Sequence, residues 1–208
     1  MTLIKICGIT NLDDALAAVA AGADALGFNF YKPSPRYITP QNAREIIGQL
    51  PVEILTVGVF VNEESPEDVR QMANEAGVAA LQLHGDESPG YCRELEGHYV
   101  IKTLAVSTNF DSQMVHAYQT EALMLDTKDP ALRGGTGRRF DWSIAKEVNQ
   151  LVPKLFLAGG LSPENIATAI ETVRPYAVDA CSALEDQPGI KNHVRMRAFV
   201  EVARSVQT

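Results

Sequence analysis

The chain has 208 residues, room for one large domain or two small ones, and its 46% hydrophobic and 21% charged residues are an ordinary globular balance. A formal net charge of −8 argues against nucleic acid as a partner, because that binding rests on Lys and Arg meeting phosphates. The charge leaves room for a small anionic substrate, held by backbone N–H groups or by a single well-placed Arg.

Cysteines stand at 7, 92 and 181, far apart and odd in number, and no CxxC occurs. Neither a disulfide framework nor a zinc ribbon is expected, and a reducing cytoplasm fits the three thiols best. No His, Cys and carboxylate set has metal-ligand spacing. The N-terminus enters a strand with no basic leader, and no apolar run approaches the roughly 18 residues of a membrane span.

Short apolar runs alternate with helical patterns from end to end. Strands are predicted at 3–7, 24–30, 53–61, 79–83, 99–104, 122–126, 154–158 and 176–180. Helices are predicted at 11–21, 40–49, 65–76, 88–96, 110–119, 141–150, 163–172 and 191–205. Asn11 opens the first helix, and Ser65-Pro66 and Ser162-Pro163 each place a Ser cap before Pro at the first helical position. Gly22 and Gly77 fall just past helix ends. Eight strand–helix units in a chain of this length predict an α/β fold, a single (β/α)8 TIM barrel over 1–208 with eight parallel strands and outer helices. An open doubly wound sheet is the alternative, but it usually has five or six strands.

Chemistry in such a barrel belongs to the carboxyl ends of the strands. Cys7 sits where the first strand hands over to a helix, and Asp126 ends the sixth. The second strand feeds Pro33-Ser34-Pro35-Arg36, in which the prolines restrict the loop that carries Arg36. Lys5 shares the strand parity of Cys7, so both are expected to point into the barrel. There Lys5 either supplies a field that lowers the thiol pKa or makes an internal ion pair. Three Gly- or Ser-bearing loops follow strands six, seven and eight: Gly134-Gly135-Thr136-Gly137, Gly159-Gly160 and Ser182. Together they predict a phosphate site, where barrels commonly hold one.

These residues carry a resemblance. Lys5-Ile6-Cys7-Gly8-Ile9-Thr10, Gly27-Phe28 leading to Ser34-Pro35-Arg36-Tyr37, Gly58-Val59-Phe60-Val61-Asn62, Gln82-Leu83-His84-Gly85, Leu125-Asp126-Thr127, Gly134-Gly135-Thr136-Gly137 with Phe140-Asp141-Trp142, and Ala158-Gly159-Gly160-Leu161 run in order over about residues 3–191. As a set they resemble phosphoribosylanthranilate isomerase. That family is a (β/α)8 barrel of tryptophan biosynthesis. It performs an Amadori rearrangement of N-(5-phosphoribosyl)anthranilate to 1-(2-carboxyphenylamino)-1-deoxyribulose 5-phosphate, without metal or organic cofactor.

The resemblance implies that Asp126 is the acid that opens the furanose ring and Cys7 the base that takes the C2 proton. It implies that Arg36 clamps the anthranilate carboxylate, a planar group suited to a guanidinium. Asp179 is expected to orient the substrate or its neighbours, and His84 to be structural or to support the site. The phosphate is expected on Gly135, Thr136, Gly137, Gly159, Gly160, Ser182 and Ala183. The implied partner is a small phosphorylated substrate, with no nucleic acid and no membrane, and the chain is a monomer or homodimer.

Two positions depart from the family pattern. Where the family usually reads Ser-Ser-Gly-Val-Glu, this chain has Cys181-Ser182-Ala183-Leu184-Glu185. Asn192 stands where an Asp often follows Lys191. Ala183 is expected to keep the family path at negative φ, with its N–H toward phosphate. Two other classes stay open. A related phosphate barrel of the histidine pathway would need Asp at the ends of strands one and five, where Cys7 and Lys102-Thr103 stand; indole-glycerol-phosphate synthase would need a catalytic Lys/Glu set and an N-terminal extension. A barrel that only binds a phosphorylated ligand would need neither Cys7 nor Asp126.

Overall fold

The structure, a computed structural model, describes residues 1–107, 109–127 and 141–206. Eight parallel strands close on themselves in sequence order. They are β1 (Leu3–Cys7), β2 (Ala25–Asn29), β3 (Leu55–Phe60), β4 (Ala80–Leu83), β5 (Tyr99–Val106), β6 (Ala122–Thr127), β7 (Leu155–Leu157) and β8 (Ala177–Ala180). Closure comes from β1 pairing with β8, with Lys5 opposite Asp179 and Ile6 opposite Ala180.

The strands read as near-continuous apolar runs because both faces are covered. Outward residues such as Ile4, Ile6, Leu26, Phe28 and Leu125 pack under the helices in the larger core. Inward residues Ala25, Val57, Ala80, Ile101, Met124 and Phe156 fill the barrel. Phe28 and Phe60 are fully buried, each worth about 1.5–3 kcal/mol of transfer free energy.

Helices α1 (Leu12–Ala21), α2 (Pro40–Ile47), α3 (Pro66–Ala76), α4 (Pro89–Glu94), α5 (Trp142–Val148), α6 (Ile166–Val173) and α7 (His193–Ser205) lie outside the strands. Asn11 caps α1 by accepting from the Asp14 N–H, and Ser65 with Asp68 forms a reciprocal capping box on α3. Gly22 and Gly77 end these helices in the left-handed region, at φ 99° and 74°.

The structure corrects the sequence reading at four places. The helix expected at 110–119 is a 3₁₀ turn, Ser112–Ala117, which buries only Val115. One inward residue gives no apolar stripe to reward a full α-helix. Ser162 does not cap α6. Residues 163–165 form a turn, held by Asn165 accepting from the Ser162 N–H and donating to the Gly160 carbonyl, so the helix begins at Ile166. Strand β5 runs on to Val106, so its end carries Ala105-Val106 and Lys102 lies mid-strand. A short hairpin of β9 (Glu185–Gln187) and β10 (Ile190–Lys191) follows β8, where only loop was expected. Among the described residues, no helix is long and apolar enough to cross a membrane.

Candidate active site

Strand parity brings Lys5 and Cys7 inward together, and β2 makes room for them at one residue. A Cβ on Gly27 would fall 2.7 Å from the Cys7 Sγ and 3.0 Å from the Lys5 Nζ. The thiol and the ammonium therefore share the space above a glycine, and any larger residue there would displace both. Lys5 is fully buried and donates to Asp179 Oδ1 at 2.7 Å. Both roles considered for Lys5 are thus present, the ion pair and the cation beside the thiol. Burial works against the Lys5 charge, but Asp179 and Cys7 outweigh it, and the ammonium pKa is raised. Burial pushes the Asp179 carboxyl up to about 6 in spite of Lys5.

The Cys7 thiol is held well below the ordinary thiol value. A hydrogen bond from Cys181 is the largest cause; burial opposes it, and the charges of Lys5 and Lys191 add to it. Cys181 moves the other way, raised well above the ordinary value by Cys7 and by burial. The two thiols are thus shifted in opposite directions, Cys7 down and Cys181 up.

Beyond β8, Ser182–Leu184 make a 3₁₀ turn, and Glu185 reaches back to two cations. It accepts from Arg36 Nε at 2.9 Å and Nη2 at 2.7 Å, and from Lys191 Nζ at 2.9 Å. Burial works against the Glu185 charge, but the two cations hold its carboxyl below the usual range. Ser34 fixes the Arg36 loop, its Oγ accepting from the Arg36 N–H at 3.1 Å and from the Asn29 Nδ2 at 3.2 Å. Glu185 thus occupies the Nε–Nη2 edge of the Arg36 guanidinium.

On the opposite side, Asp126 ends β6 at 7% exposure. Its Oδ1 accepts from the Thr127 N–H at 2.7 Å, and its Oδ2 lies 3.3 Å from His84 Nε2. On its other side, His84 Nδ1 lies 2.9 Å from Gln82 Nε2. Gly159 and Gly160 turn the chain after β7 at φ 87° and 66°. A Cβ at Gly159 would stand 2.4 Å from Thr127 Oγ1 and 3.1 Å from Asp126 Oδ1, so glycine is required for this approach.

One open cleft at the barrel mouth collects these groups. Cys7, Arg36, Asp126, Gly159, Gly160, Asp179, Ser182 and Ala183 all border it, as do His84 and Cys181. Gly135, Thr136 and Gly137 lie outside the described residues. Ala183 has negative φ, since Asn62 and Arg174 alone among the described non-glycine residues are positive. Asn192 serves α7 as its N-cap, accepting from the Arg195 N–H at 2.9 Å, which an Asp would do equally well.

The sequence reading missed two partners. Glu185 was visible only as part of a loop pattern, and Cys181 only as a departure from it. The pairing of β1 with β8, which joins residues some 170 positions apart, makes them neighbours of the site.

A thiol and a carboxyl at the carboxyl ends of barrel strands, above a buried ion pair and open to one cleft, are placed where (β/α)8-barrel enzymes hold their chemistry. A family model described as N-(5'-phosphoribosyl)anthranilate (PRA) isomerase matches residues 4–202. An N-(5'-phosphoribosyl)anthranilate isomerase of Trichlorobacter lovleyi is 47% identical over 204 residues, covering 98% of each chain. The crystal structure of the Thermotoga maritima phosphoribosyl anthranilate isomerase superposes with TM-score 0.92 at 45% identity, covering 99% of this chain and 100% of that one. A phosphoribosyl anthranilate isomerase in complex with reduced 1-(o-carboxyphenylamino)-1-deoxyribulose 5-phosphate superposes with TM-score 0.89 at 43% identity, again covering 99% and 100%. The chain belongs to the N-(5'-phosphoribosyl)anthranilate isomerase family. It is an isomerase of tryptophan biosynthesis.

Proposed function

We propose that the chain performs the family's Amadori rearrangement with Asp126 as general acid and Cys7 as general base. N-(5'-phosphoribosyl)anthranilate is converted to 1-(2-carboxyphenylamino)-1-deoxyribulose 5-phosphate. Asp126 gives its proton to the furanose ring oxygen as the C1–O bond breaks, leaving a Schiff base at C1. The Cys7 thiolate then takes the C2 proton, and the electron pair moves toward the imine nitrogen to form an enolamine. Tautomerisation to the C2 ketone completes the shift. The observation that carries this reading is a thiol of lowered pKa and a carboxyl bordering one cavity.

Arg36 is the anthranilate carboxylate clamp in this reading, through the guanidinium edge that Glu185 leaves open. Asp179 acts from below, holding Lys5 beside the thiol and so orienting the base. Phosphate is assigned to Gly159, Gly160, Ser182 and Ala183, joined by Gly135, Thr136 and Gly137. The site uses no metal or organic cofactor. The chain works as a cytoplasmic monomer or homodimer, and its net charge of −8 supports the exclusion of nucleic acid.

A substrate deuterated at C2 tests the two roles separately. In Cys7→Ser, C2–H cleavage limits the rate and the primary isotope effect on kcat is large. In Asp126→Asn, ring opening limits the rate and the effect falls toward one. The reverse pattern overturns the assignment.

A further inference from the structure

The pairing that closes the barrel has a chemical consequence. Ile6 stands opposite Ala180, the last residue of β8, and the next residue on each side is a cysteine: Cys7, which ends β1, and Cys181, which follows β8. Adjacent strands lie about 4.8 Å apart. That spacing falls inside the roughly 4.4–6.8 Å between Cα atoms that a disulfide spans. The Cys181 thiol leans toward β1. Its Sγ stands 2.9 Å from where a Cβ on Gly8 would be and donates to Glu185 Oε1 at 3.8 Å. Both thiols are partly exposed and border the open cavity, whereas Cys92 is buried at 2% exposure on α4. Lys191 Nζ lies 3.8 Å from the Cys181 Sγ, and Lys5 lies beside Cys7, so cations flank the pair on both sides.

We propose that Cys7 and Cys181 form an oxidative modification site, closing a reversible disulfide across the floor of the cavity. The oxidant is hydrogen peroxide. The Cys7 thiolate attacks one peroxide oxygen, the O–O bond breaks, and hydroxide leaves, giving the Cys7 sulfenic acid. Cys181 then attacks that sulfur. The S–S bond forms, the S–O bond breaks, and the Cys181 proton and the departing hydroxyl leave as water. The hydroxide takes up the proton that Cys7 lost on ionising, so in sum two thiols lose two electrons and two protons, and one peroxide becomes two waters. A dithiol reverses the change by two exchange steps and is itself oxidised to a cyclic disulfide. Closure removes the thiolate, so turnover stops while the bond lasts; this consequence alone rests on Cys7 as the base.

The test treats the purified 208-residue chain with hydrogen peroxide, then unfolds it in denaturant and blocks the remaining thiols with iodoacetamide. Mass spectrometry should show the loss of two hydrogens, a cross-linked peptide pair carrying Cys7 and Cys181, and alkylation falling from three thiols to one, Cys92. Dithiothreitol should restore all three thiols and the activity. In Cys181→Ser the resolving thiol is gone, so Cys7 should gain oxygen atoms and activity should not return with dithiothreitol. Uncrosslinked Cys7 carrying added oxygens in the wild-type chain overturns the proposal, as does a Cys7 and Cys181 pair that stays fully alkylatable. A cross-linked chain that still turns over leaves the site standing and defeats Cys7 as the base. An uncrosslinked chain with an inactive Cys7→Ala variant does the opposite.

Discussion

The β1–β8 side of the barrel mouth and the β4–β6 side each hold one proposed proton-transfer group, in different surroundings. Around Cys7 the charges are dense and linked: Lys5 with Asp179, and Lys191 and Arg36 with Glu185. Around Asp126 the contacts are the Thr127 N–H and His84, with no Lys or Arg touching it among the described residues. A thiol serves as a base only as its anion, and neighbouring cations stabilise that form. A carboxyl that must give up a proton is poorly served by a cation in contact, which would hold it ionised. The two sides thus solve opposite problems with the same strand-end geometry.

Removing either group gives the largest expected effect. Cys7→Ala and Asp126→Asn should each lower kcat by about 10²–10⁴-fold, the range of general acid or base loss, with little change in substrate affinity. Steady-state fluorescence of the anthranilate adduct reads this directly. If one variant retained near-normal kcat, the division of the mouth into a base side and an acid side would fail.

Arg36→Met comes next. It should raise the dissociation constant of a carboxylate-bearing ligand at a cost of roughly 2–3 kcal/mol, the low end for a buried charge pair because Glu185 keeps Lys191 as partner. A ligand lacking the carboxylate should bind both proteins equally. Equal losses with the two ligands would assign Arg36 to holding Glu185 rather than to substrate.

A smaller effect tests the cation field itself. With its pKa lowered, Cys7 should react with iodoacetamide at pH 7 faster than an ordinary thiol and gain less between pH 7 and pH 9. Lys5→Met removes one stabilising charge and raises the thiol pKa. Alkylation at pH 7 should then fall by about three- to tenfold and climb again toward pH 9, a shift of up to about one pKa unit. Cys92, pushed up to about 11 by burial, is the internal control that stays slow throughout. Asp179, left without Lys5, takes a proton more readily, which limits the damage to folding. An unchanged Cys7 profile in this variant would place the field in Cys181 and Lys191 alone.

The barrel was legible because each buried strand is a short apolar run and each helix but one carries its own start signal or apolar stripe. Cys7, Asp126, Arg36 and the Gly159-Gly160 turn were legible because strand ends face one mouth. The contacts that tune them were not. Strand parity places Lys5 inside, but nothing in the sequence gives the β1–β8 register that sets Asp179 and Cys181 beside it. Glu185 stands in the sequence only as part of a loop pattern, and its side chain is buried where the β9–β10 hairpin sets it against Arg36 and Lys191. The Ser162 cap failed for a local reason, since the Asn165 side chain competes for the same backbone groups.

Ala183 gives the smallest expected effect and the sharpest test of backbone geometry. The family glycine at this position would be needed if the loop required positive φ, where an Ala costs roughly 1–2 kcal/mol. Here Ala183 lies in a 3₁₀ turn at negative φ, and its carbonyl accepts from Arg195 Nε at 2.8 Å. The methyl group therefore meets no conformational penalty, and α7 holds the loop in place through Arg195. Ala183→Gly should change the affinity for a phosphate ligand by less than about threefold, under roughly 0.7 kcal/mol by calorimetry. Glycine also adds freedom to the unfolded chain, so thermal stability should fall slightly, by about 0.4–1 kcal/mol. A gain in affinity of tenfold or more would mean that the methyl group keeps the backbone N–H away from the anion, and that the phosphate side of the mouth is less well formed than the two proton-transfer sides.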